Sequence, residues 1–350
     1  VSAMSDDPPG LDTGRLRAYL DREHPGFADG PLRAEVIAGG RSNLTYTVTD
    51  GRGRWVLRRP PLGHVLATAH DMGREYRVMG ALAGSPVPVP RVHLHCPDPE
   101  VIGAPFYVME LVEGAVLRTP EQAVPLGRAR AEHIARDLSD VLAALHSVPP
   151  AEVGLADFGR PDGYLHRQLA RWRKQLDASR SRPLAGADEL AGLLAGAVPQ
   201  AQRAAVVHGD FRLDNCVVGP DDTVAAVLDW EMSTLGDPLA DLGLLCVYWD
   251  RVGALPVLPL DTAVTPGSPF PSSERLVEWY AASSGLDLAP LPWYVAFGHF
   301  KLAVISEGIH FRHIHGQTVG EGFDRIGAGV EPLLAAGLAT LGHRPDGAGR

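Results

Sequence analysis

Apolar residues recur along this chain with two different periods, and the change of period divides it in two. Leu11 to Glu23 repeats at helical spacing, with Asp12 or Thr13 available as a cap. Short runs of strand character follow at Ala34–Ala38, Asn43–Thr49 and Arg54–Arg59, broken by Gly39-Gly40 and by Asp50-Gly51-Arg52-Gly53. The second break carries an Asp-Gly step, which supplies the positive φ of a tight hairpin. A helix is predicted over Ala69–Leu82, with Met72, Tyr76 and Met79 on one face. Strands over Arg91–Cys96 and Pro105–Leu111 complete a sheet of about five strands.

After Val112-Glu113-Gly114 the helical period dominates. Arg128–His146 is strongly amphipathic, with Ile134, Leu138, Val141, Leu142 and Leu145 on one stripe. Further helices are predicted at Tyr164–Leu176, Asp188–Leu194, Pro238–Tyr248, Ser273–Ser283, Leu291–His310 and Val319–Leu341. Short apolar runs at Ala204–Val207, Cys216–Val218 and Val224–Leu228 have the character of buried strands. Gly253 to Pro271 is rich in proline and predicts a surface insertion. The expected fold class is α+β: a small sheet-bearing lobe with a leading helix over 1–113, then a larger, mainly helical lobe over 114–350.

Composition narrows the function classes. Apolar residues make up 45% of the 350, enough for a substantial core. Only Lys174 and Lys301 are lysines, so no mechanism can use a lysine from the chain before residue 174. The net charge of −10 disfavours nucleic acid as a partner, since neutralising phosphates needs a basic surface. Three scattered cysteines (Cys96, Cys216, Cys246) suit reduced thiols better than a disulfide framework. The N-terminus has no signal-peptide pattern, and no apolar run reaches the length of a membrane span. We therefore expect a soluble, cytoplasmic protein with no membrane partner.

The chemistry is concentrated in Val206-Val207-His208-Gly209-Asp210-Phe211-Arg212-Leu213-Asp214-Asn215 and in Val227-Leu228-Asp229-Trp230-Glu231. An apolar strand delivers Asp210 to a loop, Asn215 follows five residues later, and a second apolar strand ends at Asp229. A lone aspartate at a strand end merely makes a turn. The spaced set matches what phosphoryl transfer requires, namely a proton acceptor for the nucleophile and oxygen ligands for Mg²⁺. No G-x-x-x-x-G-K-[ST], H-E-x-x-H or G-x-S-x-G pattern offers a rival chemistry.

In HGDFRLDN followed by VLDWE the chain resembles the aminoglycoside phosphotransferase-like family of the protein-kinase-like fold. That resemblance implies a bilobal fold with a small antiparallel-sheet lobe and a larger helical lobe. It also implies use of ATP and Mg²⁺, with Asp210 as catalytic base and Asn215 and Asp229 as metal ligands. His208 would brace the loop, and Asp241, in Gly236-Asp237-Pro238 with Asp241, would support it by hydrogen bonds. In the first lobe, Gly40, Ser42 and Asn43 correspond to the loop that covers the nucleotide. Glu75 corresponds to the acid that orients the phosphate-binding base. Met109 would border the adenine pocket, with Glu110 and Val112 at the backbone that binds the base.

One position departs from the family pattern. Trp55-Val56-Leu57-Arg58 carries arginine where kinases place lysine. Strand alternation from Val56 turns Arg58 inward and predicts that Arg59 faces solvent. The stretches VLRRPP and HDMGREYRV resemble the subgroup fused to acyl-CoA dehydrogenases, which implies a hydroxylated acyl or lipid-derived acceptor. Residues 206–250 hold nine acids and one base, while the presumed substrate segments are nearly neutral, which weakens the case for a polycationic aminoglycoside. The expected partner is a small-molecule hydroxyl acceptor. The alternative reading is a nucleotide-binding protein without catalysis, for which Arg58 is the main argument. His310, His313 and His315 lack the spacing of a closed metal site.

Overall fold

Two compact units emerge from the chain, Val1–Glu113 with Ala226–Glu231, and Gly114–Ala225 with Met232–Arg350. The computed structural model describes residues 7–37, 43–62, 71–253, 255, 262–318 and 323–343. The sequence boundary after Glu113 did not include the short segment 226–231, which packs with the first unit.

The first unit opens with α1 (Thr13–Glu23), capped by the Asp12 side chain on the Arg15 amide. Its sheet contains β1 (Arg33–Val36), β2 (Leu44–Thr49) and β3 (Arg54–Arg59). After α2 (Met72–Leu82), capped by Asp71, come β4 (Val92–Cys96) and β5 (Phe106–Glu110). The five strands run β1-β2-β3-β5-β4, every neighbour antiparallel. Alternation gives the sheet two faces. One carries Tyr46, Val48, Leu57, Leu94, Phe106 and Val108 into a core closed by Leu11, Leu16 and Leu20. The opposite face carries Val56, Arg58, Tyr107 and Met109, with Val56 opposite Met109 and Arg58 opposite Tyr107.

Arg59 corrects the expectation of a solvent-facing side chain. It is 5% exposed, because the face opposite Arg58 is covered by the segment preceding α1. Its guanidinium donates to the carbonyls of Gly10 and Ile102, the latter at 3.0 Å.

The second unit is mainly helical. It contains α3 (Pro120–Ala123), the long α4 (Gly127–Ser147), α5 (Tyr164–Ser179) and α6 (Ala187–Gly196). The α4 stripe predicted from sequence is buried throughout. Three short strands follow, β6 (Ala205–Val207), β7 (Cys216–Val218) and β8 (Val224–Val227), and then β9 (Thr234–Gly236). β6 pairs with β9 and β7 with β8. Next are α7 (Pro238–Cys246), which ends in a π-helical turn over Val247–Arg251, and α8 (Ser273–Ser284), α9 (Leu291–Ile314) and α10 (Val330–Thr340).

Two expectations change in this unit. The last helix was expected from Val319 but begins at Val330, after a 3₁₀ turn over Ile326–Gly329. The proline-rich insertion is not all surface, since Ala263, Val264 and Phe270 are buried and Pro271 accepts a 2.8 Å bond from the Trp249 indole. Among the described residues no helix is long and apolar enough to cross a membrane.

Candidate active site

In the first unit the polar residues of the sheet's second face collect around one guanidinium. Arg58 lies 3.2 Å from Glu75 Oε2, pairs with Asp229 Oδ1 through Nη2, and stands 3.9 Å from Glu231 Oε2. Glu75 reaches it from the buried side of α2 and also accepts 2.9 Å from the Tyr107 hydroxyl. Asn43 Nδ2 donates to Glu231 at 3.0 Å and to Glu75 at 3.3 Å, tying the start of β2 to both acids. Burial pushes the Glu75 pKa up, and the Arg58 charge opposes that rise. Asp229 takes a left-handed φ of +65°, uncommon for a residue other than glycine. That turn follows β8 and is backed by the buried Trp230, whose indole donates 2.9 Å to the Val227 carbonyl.

The second unit presents Asp210 at the end of β6 on a loop whose main chain is held residue by residue. Buried Asp241 accepts from the amides of His208 at 2.6 Å and Gly209 at 2.8 Å. The Asp210 amide donates to His208 Nδ1 at 3.2 Å. Asn215 Nδ2 donates to the Asp210 carbonyl at 2.9 Å and to Asp210 Oδ2 at 3.1 Å. Gly209 has φ +82°, and a Cβ there would stand 2.7 Å from the Met232 carbonyl oxygen, so only glycine fits. Burial would raise the Asp241 pKa, but the hydrogen bond from His146, 3.3 Å away, and the loop's amide donors outweigh it and hold the carboxyl below its ordinary value. His146 is fixed in turn by the Tyr280 hydroxyl at 2.7 Å. Arg212 bridges Asp210, 3.6 Å away, and Asp214, at 2.7 Å, and lies over the Tyr248 ring.

Residues 33–264 match the family model described as "Phosphotransferase enzyme family", well over half of the chain. The chain belongs to the phosphotransferase enzyme family. Among curated relatives of this phosphotransferase-family chain, Acyl-CoA dehydrogenase family member 11 of Gallus gallus is 36% identical over 338 residues, 94% of this chain and 43% of the relative. Acyl-CoA dehydrogenase family member 10 of Mus musculus is 37% identical over 308 residues, covering 87% of this chain and 28% of the relative. The chain thus spans less than half the length of these relatives. Among solved structures, a candidate aminoglycoside phosphotransferase from Ralstonia eutropha superposes with a TM-score of 0.81 at 34% identity, covering 94% of this chain and 98% of that one. The bilobal kinase-like fold expected from the sequence is the fold of this phosphotransferase family.

Of the residues singled out in the sequence, the structure brings Asn43, Arg58, Glu75 and Asp229 into one cluster and Asp210 and Asn215 into another. Met109 is buried on the same sheet face as Arg58, Glu110 is exposed at the end of β5, and Val112 is partly exposed beyond it. Gly40 and Ser42 lie outside the described residues. Sequence reasoning gave no role to Glu231, Tyr107, Tyr248 or Lys301. Glu231 could have been found as the second acid of the Asp229 turn, and Tyr107 as the alternation partner of Met109.

Proposed function

We propose that this phosphotransferase-family chain is an ATP- and Mg²⁺-dependent kinase of a small-molecule hydroxyl, the acceptor being a hydroxylated acyl or lipid-derived metabolite. The observation that carries the reading is the Asp210 carboxylate. It is 28% exposed, on a loop whose supporting groups are buried, so it remains open to an incoming hydroxyl. In this reading Asp210 accepts the hydroxyl proton as the acceptor oxygen bonds to the γ-phosphorus and the bond from that phosphorus to the β–γ bridging oxygen breaks.

The donor chemistry fits Mg²⁺. Among the described residues no cluster of three or more His, Cys, Asp or Glu forms a cage. In this reading the ion would be held by one carboxylate, one amide oxygen and the nucleotide's own phosphates. Asp229 would supply the carboxylate. Asn215 turns its amide nitrogen toward Asp210, so Oδ1 would be its ligand atom. When bound, the ion neutralises charge on the transferring phosphoryl group. Arg58, oriented by Glu75, would hold the nucleotide phosphates, with Met109, Glu110 and Val112 at the base and Gly40, Ser42 and Asn43 in the covering loop. Three buried free cysteines accord with a reducing, cytoplasmic setting.

A screen of hydroxyl acceptors tests this reading, with ADP release and product mass measured together. Acceptor-dependent ADP release with a phosphorylated product is the expected result. Tight ATP binding without turnover on any acceptor would favour the alternative, a nucleotide-binding protein without catalysis.

A further inference from the structure

Lys301 stands out in α9, a helix most of whose residues are buried. It is one of two lysines in a chain with thirty arginines. Its ammonium lies over the ring of Trp172 from α5, with Nζ 5.5 Å from the ring centroid. The ammonium donates 2.7 Å to the carbonyl of Gly209, ninety-two positions earlier in sequence. Burial pushes its pKa below the usual lysine value, and the negative charges of Asp210 and Asp241 oppose that shift.

The bond matters because of the peptide it reaches. The carbonyl of Gly209 and the amide of Asp210 are the two ends of a single peptide plane. Lys301 holds the first, and His208 Nδ1 holds the second at 3.2 Å. The amides of His208 and Gly209 rest on Asp241, and the carbonyl of Asp210 rests on Asn215. A plane fixed at both ends leaves the Asp210 Cα little freedom to rotate, so the direction of the carboxylate is set before any ligand arrives. Without Lys301 the Gly209 carbonyl loses its charged partner. Glycine, which has the widest backbone freedom of any residue, then sits at the loosened end.

We propose that Lys301 is a positioning residue for phosphoryl transfer: it fixes the Gly209–Asp210 peptide and so aims the Asp210 carboxylate at the acceptor. The catalytic part of this inference rests on the kinase reading above; the structural part, the clamp itself, does not.

Two variants test it in the full chain. Lys301→Met keeps an unbranched apolar side chain and removes the ammonium, while Lys301→Arg keeps a cationic donor. In the absence of any substrate, amide hydrogen exchange over residues 208–212 is expected to quicken in Lys301→Met and to stay close to wild type in Lys301→Arg. With a working acceptor, kcat in Lys301→Met is expected to fall by about 10- to 100-fold, the range for a small misplacement of a reacting group. KM for ATP should stay within about twofold, since the bound nucleotide is not what Lys301 touches. Lys301→Arg should recover most of the lost kcat. Unchanged exchange in Lys301→Met overturns the clamp, whether or not the protein transfers phosphate. Quickened exchange with unchanged kcat, or a kcat loss that Lys301→Arg does not recover, overturns the positioning role. A wild-type protein that turns over no acceptor, yet shows the exchange difference, condemns the kinase reading and leaves the clamp standing.

Discussion

Around Asp210 most restraints are hydrogen bonds to main chain, whereas around Arg58 they join side chain to side chain. Asp241, His208, Asn215 and Lys301 together hold consecutive peptide groups of the loop. In the first unit a single guanidinium serves Glu75, Asp229 and Glu231. The first arrangement is independent of what binds, because peptide groups do not change charge. The second has an excess of negative charge over positive, so its pairings can be redistributed when a ligand adds charge of either sign. Acid–base chemistry benefits from a fixed direction, and nucleotide binding from partners that can be exchanged.

The sharpest way to break this contrast is Asp229→Ala. Removing the carboxylate is expected to abolish Mg²⁺-dependent turnover, a loss beyond about 10³-fold, while circular dichroism and the melting temperature stay near wild type. A folded variant with normal turnover would reject the metal assignment. Asp210→Asn comes next. It keeps the shape and the bond with Asn215 but removes the proton acceptor, so kcat should fall by roughly 10²- to 10⁴-fold with ATP affinity by calorimetry retained. Loss of ATP binding instead would mean that Asp210 has another task.

A smaller effect is expected from the exchangeable side. Arg58→Ala and Glu75→Ala should each raise KM for ATP about tenfold, and the double variant should be little worse, a coupling of about 0.5–3 kcal/mol. Strictly additive losses would show that the two do not act as a pair. Arg59→Met should leave KM for ATP unchanged but lower stability to urea by about 1–3 kcal/mol, because the carbonyls of Gly10 and Ile102 lose their donor. Smallest is Tyr46→Phe, which removes the 2.6 Å bond to the Pro9 carbonyl and should cost about 1 kcal/mol.

What the sequence revealed, and what it hid, follows from the range of each signal. β3 was legible to the residue, because alternation and the Asp-Gly turn are local. The places of Asp210 and Asp229 just beyond β6 and β8 were legible too, because the apolar runs that precede them are local. β9 was not, since a three-residue strand such as Thr234–Gly236 has no period of its own and exists through its pairing with β6. The burial of Arg59 was missed because alternation says only that neighbours face opposite sides, not that both sides are covered. Lys301 was missed for a similar reason: its partner is a backbone carbonyl, and every residue has one.

The carbonyls of Pro9 and Gly10 carry a lesson about where a protein can be cut. The match to the family model begins at residue 33, but the sheet's buried hydroxyl and guanidinium reach back to residues 9 and 10, and Leu11, Leu16 and Leu20 roof its core. A fragment started where that match begins would keep every residue named in the chemistry. It would also bare an apolar sheet face studded with one stranded charge, a surface prone to self-association. For anyone recombining such lobes between relatives, the unit to exchange is the one that satisfies its own polar groups, and it begins more than twenty residues upstream of the family model's match.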